Sequence, residues 1–191
     1  MQAAWSNGVD ILERGEGKIL AWHDPDEQRR WISENKSRRL QDKRTSLEEA
    51  VRKLVHDGDY VALGGFGHVR VPMAAVCEIV RQGKRNLTLA AKTGTHDADI
   101  LIASGCVNRV EVAYCFGHEL RGLSPASRRA AETGKVEVVT EISNAGFQWR
   151  FKAAAMGLPF LPARVMLGTD TYKHSPAITV RDPFSEKPVC I

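Results

Sequence analysis

The stretch DYVALGGFGHVRVPMAAV, residues 59–76, places Gly64, Gly65 and Gly67 within four positions at the end of an apolar run, and Pro72 then opens a second one. Glycine admits positive φ and backbone approaches that a Cβ would block. Proline costs nothing in a first helical turn, where its missing N–H would be unpaired anyway. A strand, a glycine turn and a helix in that order aim unpaired N–H groups and the positive end of a helix dipole at whatever lies beyond the strand. Stabilising negative charge is the chemistry this arrangement suits. Two nucleotide motifs fail on the same residues. A GxGxxG fingerprint requires glycine where Arg70 stands, and an acidic residue at a strand end about 20 positions on; Glu78 falls inside the following helix. GxxxxGK[ST] is absent. A tight turn that binds nothing accounts for the glycines equally well.

Three later stretches carry further candidates. AKTGTHDAD, residues 91–99, ends a second strand and holds Lys92, Thr93, Thr95 and His96. Lys92 or His96 suits a distal carboxylate or a carbonyl oxygen; a surface lysine, with Thr95 or Asp97 as helix cap, fits as well. Asp97 and Asp99 lack His or Cys at ligand spacing, so no metal is expected. His118 and Glu119 are not HExxH. Arg121, Arg128 and Arg129 suit phosphates, or pairing with solvent or a partner chain. Asn144, between a fourth strand and a helix, can hydrogen-bond a substrate but cannot serve as base or nucleophile; a helix cap is the local alternative.

The elements that position these residues alternate. TSLEEAVRKLV has Thr45 or Ser46 as cap, glutamate at capping-box spacing and an i, i+3/i+4 apolar stripe. Strands are expected at YVALGG, NLTLAAK, VNRVEVAYCF, KVEVVTEI and ARVMLG. Helices are expected after Pro72, at HDADILIASG, at SPASRRAAETG (Ser124 cap, Pro125 first, Gly134 stop) and at NAGFQWRFKAAAMGL, where Trp149 and Phe151 read as core. Strands alternating with helices predict an α/β fold, a mostly parallel open sheet with helices on both faces. Residues 1–44 read as a charged N-terminal extension with Trp22, Trp31, Ile32 and Leu40 as sparse anchors. Residues 45–191 read as one α/β domain that is C-terminally incomplete, because PVCI ends as an apolar run.

Bulk properties narrow the classes. The 191 residues carry 27 basic and 23 acidic side chains, a net charge of +4. The excess is spread along the chain and too small to argue for nucleic acid; it is compatible with a small anionic ligand, and no nucleic-acid partner is expected. No apolar run approaches the ~20 residues of a membrane span, and the N-terminus lacks the basic-then-apolar build of a secretory signal. Cys77, Cys106, Cys115 and Cys190 form no CxxC pair and read as buried free thiols in a reducing, cytoplasmic compartment.

The whole string DGDYVALGGFGHVRVP resembles the signature that opens the A subunits of family I coenzyme A transferases, with Asp57, Gly58, Val61, Ala62, Leu63, Gly64, Gly65, Phe66 and Pro72 in place. Many members carry glycine two residues before the proline. Arg70 there is similar to the glutaconate coenzyme A transferase branch, as is GLPFLP, residues 157–162. EIVRQGKRNLT, DILIASG and AAAMGLPFLPARVMLG extend the resemblance from Thr45 to Ile191. It implies one component of an enzyme that moves coenzyme A between an acyl-CoA and a carboxylic acid through a glutamyl thioester. The nucleophilic glutamate would come from a B-type partner subunit, so no catalytic residue is expected in this chain; Glu111, Glu119 and Glu141 lack its context. Gly64, Gly65, Phe66, Gly67 and Arg70 would form a substrate or oxyanion loop, and Lys92, Thr93, His96 and Asn144 an acyl pocket. Coenzyme A thioester would be a substrate, with no permanently bound cofactor. The branch carries glycines where several of Lys92, Thr93, Thr95 and His96 stand. An acyl-CoA hydrolase of the ring-opening type, whose branch carries glutamate where Asn144 stands, and a noncatalytic scaffold subunit remain the alternatives.

Overall fold

The computed structural model describes residues 8–20, 22–118 and 122–191. The chain divides into two compact units, Ser37–Val139 and the residues up to Lys36 together with Thr140–Ile191.

The first unit is a strand–helix alternation. Helix α2 (Leu47–Leu54) follows α1 (Pro25–Asn35) of the other unit and starts at Ser46, whose Oγ accepts from Glu49 N at 3.1 Å. Then come β2 (Tyr60–Ala62), α3 (Met73–Arg81), β3 (Leu87–Ala91), α4 (His96–Ala103), β4 (Val107–Val112), the short pair β5 (Gly117–His118) and β6 (Gly122–Leu123), α5 (Pro125–Glu132) and β7 (Glu137–Glu141), numbered after β1 (Ile11–Arg14). The sheet runs β2-β3-β4-β7, with β2–β3 and β3–β4 parallel. All five residues of β3 are buried, so the central strand is covered on both faces, which is why it reads as a nearly continuous apolar run, interrupted only by the buried Thr88, rather than an alternation. Val76, Ile79, Leu87, Leu89, Leu101, Val107 and Val110 form the centre of the core. On β4 the neighbouring Glu111 is fully buried and accepts a hydrogen bond from Tyr60 Oη, across β3.

In the other unit, α6 (Asn144–Met156) and the short α7 (Asp170–Lys173) accompany an antiparallel sheet of order β1-β8-β9, with β8 at Ile178–Arg181 and β9 at Pro188–Cys190. Sequence pattern predicts no strand at β1 or β8. Each has only four residues, and β1 shows three exposed side chains of four, so neither carries a usable period.

Several local expectations need correction. ARVMLG is no strand: Ala163 bridges to Cys190, and the chain then turns through Met166 at φ 73° and Gly168 at φ 72°. The Thr169 N–H and hydroxyl both donate to the Met166 carbonyl, at 3.1 and 2.7 Å, closing a turn that apolar composition hides. Trp149 and Phe151 are 36% and 44% exposed; Phe147 is the buried aromatic of α6, edge-to-face with Phe151 at 5.1 Å. Ser143, not Asn144, caps α6, its Oγ accepting from Gly146 N at 3.0 Å. Pro72 stands one residue before the first turn of α3. Ser124 caps α5 as expected, with Pro125 first and Gly134 in the left-handed region. Trp22, Trp31, Ile32 and Leu40 are exposed on this chain.

Candidate active-site loops

β2 ends at Ala62 and the chain leaves the sheet through Leu63 and the glycines. Phe66 and Val69 exchange both backbone hydrogen bonds, Phe66 N to Val69 O at 3.0 Å and Val69 N to Phe66 O at 2.9 Å. Gly67 and His68 form the tip, with Gly67 at φ 57°, the positive φ that a two-residue hairpin requires of its first tip residue. Gly65 sits at φ 118°, and a Cβ on it would lie 3.0 Å from the Arg70 carbonyl oxygen and 3.1 Å from Val71 Cα. Gly64 has neither feature: its φ is ordinary and an added Cβ would meet nothing within 4 Å. Among the described residues the Gly65 and Gly67 N–H groups donate to no backbone carbonyl. The loop is therefore a small exposed hairpin with uncommitted backbone donors, fixed at its base by glycine geometry.

The loop after β3 ties itself to this hairpin. Thr95, 3% exposed, donates from Oγ1 to the Gly67 carbonyl at 2.6 Å and lies 3.5 Å from His68 Nδ1. His96, first residue of α4, stacks at a tilt on His68 with ring centroids 4.6 Å apart. Lys92 Nζ lies 4.6 Å from the centroid of the Phe66 ring, a cation–π contact. Gly94 leaves no room for a side chain, since a Cβ would stand 3.0 Å from Ala91 Cβ and 3.1 Å from Ala98 Cβ. The two acidic residues nearby are used internally. Asp97 Oδ1 accepts from Thr95 N at 2.8 Å, and Asp99 Oδ1 accepts from Ser127 Oγ at 2.6 Å. The hairpin is thus faced by lysine and imidazole, while the neighbouring carboxylates close α4 and join it to α5.

The tertiary structure accordingly brings together Phe66, Gly67, Lys92 and His96 of the expected site. It adds His68, which the sequence pattern does not single out, and makes an anchor of Thr95, whose spacing suggests a cap. A histidine at the tip of a glycine hairpin is the available signal for His68. Arg70 follows the hairpin at φ 59°. Thr93 is half-buried. Asn144 belongs to the other unit, as the first residue of α6. Arg128 pairs with Glu132 at 2.6 Å on an exposed face of α5, whereas Arg129 is exposed and has no such pair among the described residues. Glu119 and Arg121 lie outside the described residues, as does the side chain of His118.

At the third strand end, the Cys115 thiol is pushed up to about 12 by burial, against a hydrogen bond from the Phe116 backbone, with the Asp99 and Asp97 charges adding to the rise. Cys115 is a neutral packing group at physiological pH, not a nucleophile. All four cysteines are free; Cys106 and Cys190 are buried, whereas Cys115 is half-buried and Cys77 exposed. Among the described residues no group of three His, Cys, Asp or Glu side chains could hold a metal ion, and no helix is long and apolar enough to cross a membrane.

A family model for coenzyme A transferase matches residues 44–183. The chain belongs to the coenzyme A transferase family. It is 39% identical over 124 residues to the A subunit of glutaconate CoA-transferase from Acidaminococcus fermentans, covering 65% of this chain and 38% of that one. A protein of Archaeoglobus fulgidus is 61% identical over 183 residues, 96% of this chain and 41% of the relative. The chain therefore spans about two fifths of the length of these relatives. The crystal structure of the Acidaminococcus fermentans glutaconate enzyme superimposes with a TM-score of 0.71 at 32% identity, covering 78% of this chain and 53% of that one. That of a single-site variant of the decarboxylase AibA/AibB gives 0.67 at 37% identity, covering 76% and 55%. The family, the α/β fold and the likeness to glutaconate-type A subunits agree with the reading of DGDYVALGGFGHVRVP.

Proposed function

We propose that this chain is the A-type portion of a two-subunit coenzyme A transferase, which exchanges coenzyme A between an acyl-CoA and a carboxylic acid. A B-type subunit supplies the glutamate nucleophile. Attack of that carboxylate on the thioester carbonyl places negative charge on the carbonyl oxygen, and preorganised N–H donors in a dry site are the strongest stabilisers of such charge. The observation that carries the reading is the loop that runs from Gly64 into the Phe66–Val69 hairpin. Its Gly65 and Gly67 N–H groups are committed to no backbone carbonyl of the described residues, the space beside Gly64 is open, and Lys92 stands against the loop through Phe66. An acyl group or a partner's active-site backbone occupies that space. Lys92, Thr93 and His96 contribute to the acyl pocket.

A second reading, decarboxylation of an acyl-CoA, is favoured by the likeness to AibA/AibB. One experiment separates the readings. The chain is combined with its cognate B-type subunit, an acyl-CoA bearing a distal carboxylate, and isotopically labelled acetate. Labelled acetyl-CoA is the expected product. Release of carbon dioxide without labelled thioester establishes the decarboxylase, and free coenzyme A alone establishes a hydrolase. An intact complex that turns over nothing under any of these conditions refutes the proposal and leaves a binding subunit.

A further inference from the structure

Among the described residues five non-glycine residues adopt the left-handed backbone region: Arg70, Asn86, Phe116, Met166 and Glu186. L-residues other than Asn and Asp enter it at a cost, and such strain persists where the surroundings or a function demand it. Four of the five have a visible compensation. Asn86 is a tolerated type and its Oδ1 accepts from Asn108 at 3.2 Å. Phe116 packs against the core and Met166 is 8% exposed. Glu186 closes the Asp182–Lys187 turn, its N–H donating to the Asp182 carbonyl, with its carboxylate 3.9 Å from Arg181.

Arg70 has none of these. At φ 59° its side chain is exposed, and among the described residues its guanidinium makes no hydrogen bond or ion pair. Glycine would hold the same backbone without strain. Something other than local stability therefore keeps a guanidinium at the base of the hairpin, directly after the loop that carries the uncommitted N–H donors.

From this geometry we infer that Arg70 is the oxyanion anchor of the site, a specificity-determining residue whose planar guanidinium takes a carboxylate or phosphate of the substrate in a bidentate pair. The left-handed turn sets the direction of the side chain, so the charge is placed by the backbone rather than by packing. The inference rests on the acyl-CoA reading proposed above. Two sources offer the oxyanion: a distal carboxylate on the acyl group, or the phosphates of coenzyme A.

The test is equilibrium binding to the full chain in complex with its B-type subunit, using glutaryl-CoA, butyryl-CoA and S-glutaryl-pantetheine as probes, for wild type, Arg70→Gly and Arg70→Lys. Arg70→Gly relieves the left-handed strain and thereby offsets the greater freedom that glycine gives the unfolded chain, so the variant folds with a melting temperature close to that of wild type. Its affinity for glutaryl-CoA should fall roughly ten- to a hundredfold, the range of one charge-assisted contact, with Arg70→Lys recovering only part of it. If butyryl-CoA is unaffected and the pantetheine thioester weakened equally, the anchored group is the distal carboxylate. If both coenzyme A thioesters weaken alike and the pantetheine thioester does not, it is a phosphate. Unchanged binding of all three probes by folded Arg70→Gly overturns the anchor and leaves the acyl-CoA reading standing. Failure of wild type to bind any probe overturns both.

Discussion

The three hairpin glycines allow a prediction in which stability and activity run in opposite directions. Alanine at Gly65 meets two penalties. Its φ of 118° lies where L-residues are strained, by roughly 1–3 kcal/mol. Its Cβ would also press on backbone at 3.0 and 3.1 Å, which cannot move aside as a flexible side chain could. Gly65→Ala should thus destabilise the chain by more than about 2 kcal/mol. Gly67→Ala meets only the left-handed penalty at φ 57°, with nothing within 4 Å, so it loses roughly 1–2 kcal/mol. Gly64→Ala meets neither, and stiffening of the unfolded chain makes it neutral or stabilising by about 0.4–1 kcal/mol. Urea unfolding of the three variants should give that order. Activity in complex with the B-type subunit should not follow it. If the open space beside Gly64 receives the acyl group or the partner's backbone, Gly64→Ala loses on the order of tenfold or more in kcat/KM, equivalent to ~1.4 kcal/mol, while remaining the most stable of the three. Wild-type kcat/KM in Gly64→Ala refutes the idea that a ligand or partner approaches there. A loss of more than about 1 kcal/mol of stability refutes the geometry itself.

Two further predictions concern the surrounding loops. Thr95→Val removes the donor to the Gly67 carbonyl and should cost about 1–3 kcal/mol, with faster amide exchange at Phe66 and Val69, whereas Thr95→Ser should restore both; unchanged exchange in the valine variant shows that the hydroxyl does not hold the hairpin. The Cys115 thiol is raised in the folded chain to about 12. Burial there favours the neutral form, so its contribution is complete below the unfolded value near pH 9 and is lost as the pH climbs towards 12, at up to about 1.4 kcal/mol per pH unit. Urea midpoints between about pH 8 and 11 should fall more steeply for wild type than for Cys115→Ala. Iodoacetamide at about pH 8 should label the exposed Cys77 long before Cys115. Equal slopes or early Cys115 labelling would disprove the assignment of Cys115 as a neutral packing group.

Much of the parallel unit is legible in the sequence, because its determinants are local. Ser46 and Ser124 cap helices with side chains three residues from their donors, and β3 is a short apolar run because both its faces are covered. The glycine signature of residues 57–72 likewise points to the family, since backbone that must adopt positive φ restricts which residues can stand there. ARVMLG shows the limit of the same logic: apolar composition cannot distinguish a buried strand from a turn closed by Thr169 and a left-handed Met166. The antiparallel β1-β8-β9 sheet joins residues 11–14 to residues 178–190, and pairing over that separation leaves no periodic trace in four-residue strands.

For the site, local patterning alone places a glycine turn at the end of β2, ahead of α3, and Lys92 and His96 after β3. Only the folded chain decided which of them meet. Lys92 reaches the Phe66 ring, His96 reaches His68 and Thr95 turns from helix cap to hairpin anchor, because parallel pairing of β2 with β3 places their carboxyl-end loops side by side. The same residue spacing in an unpaired chain would bring none of these groups within reach of one another.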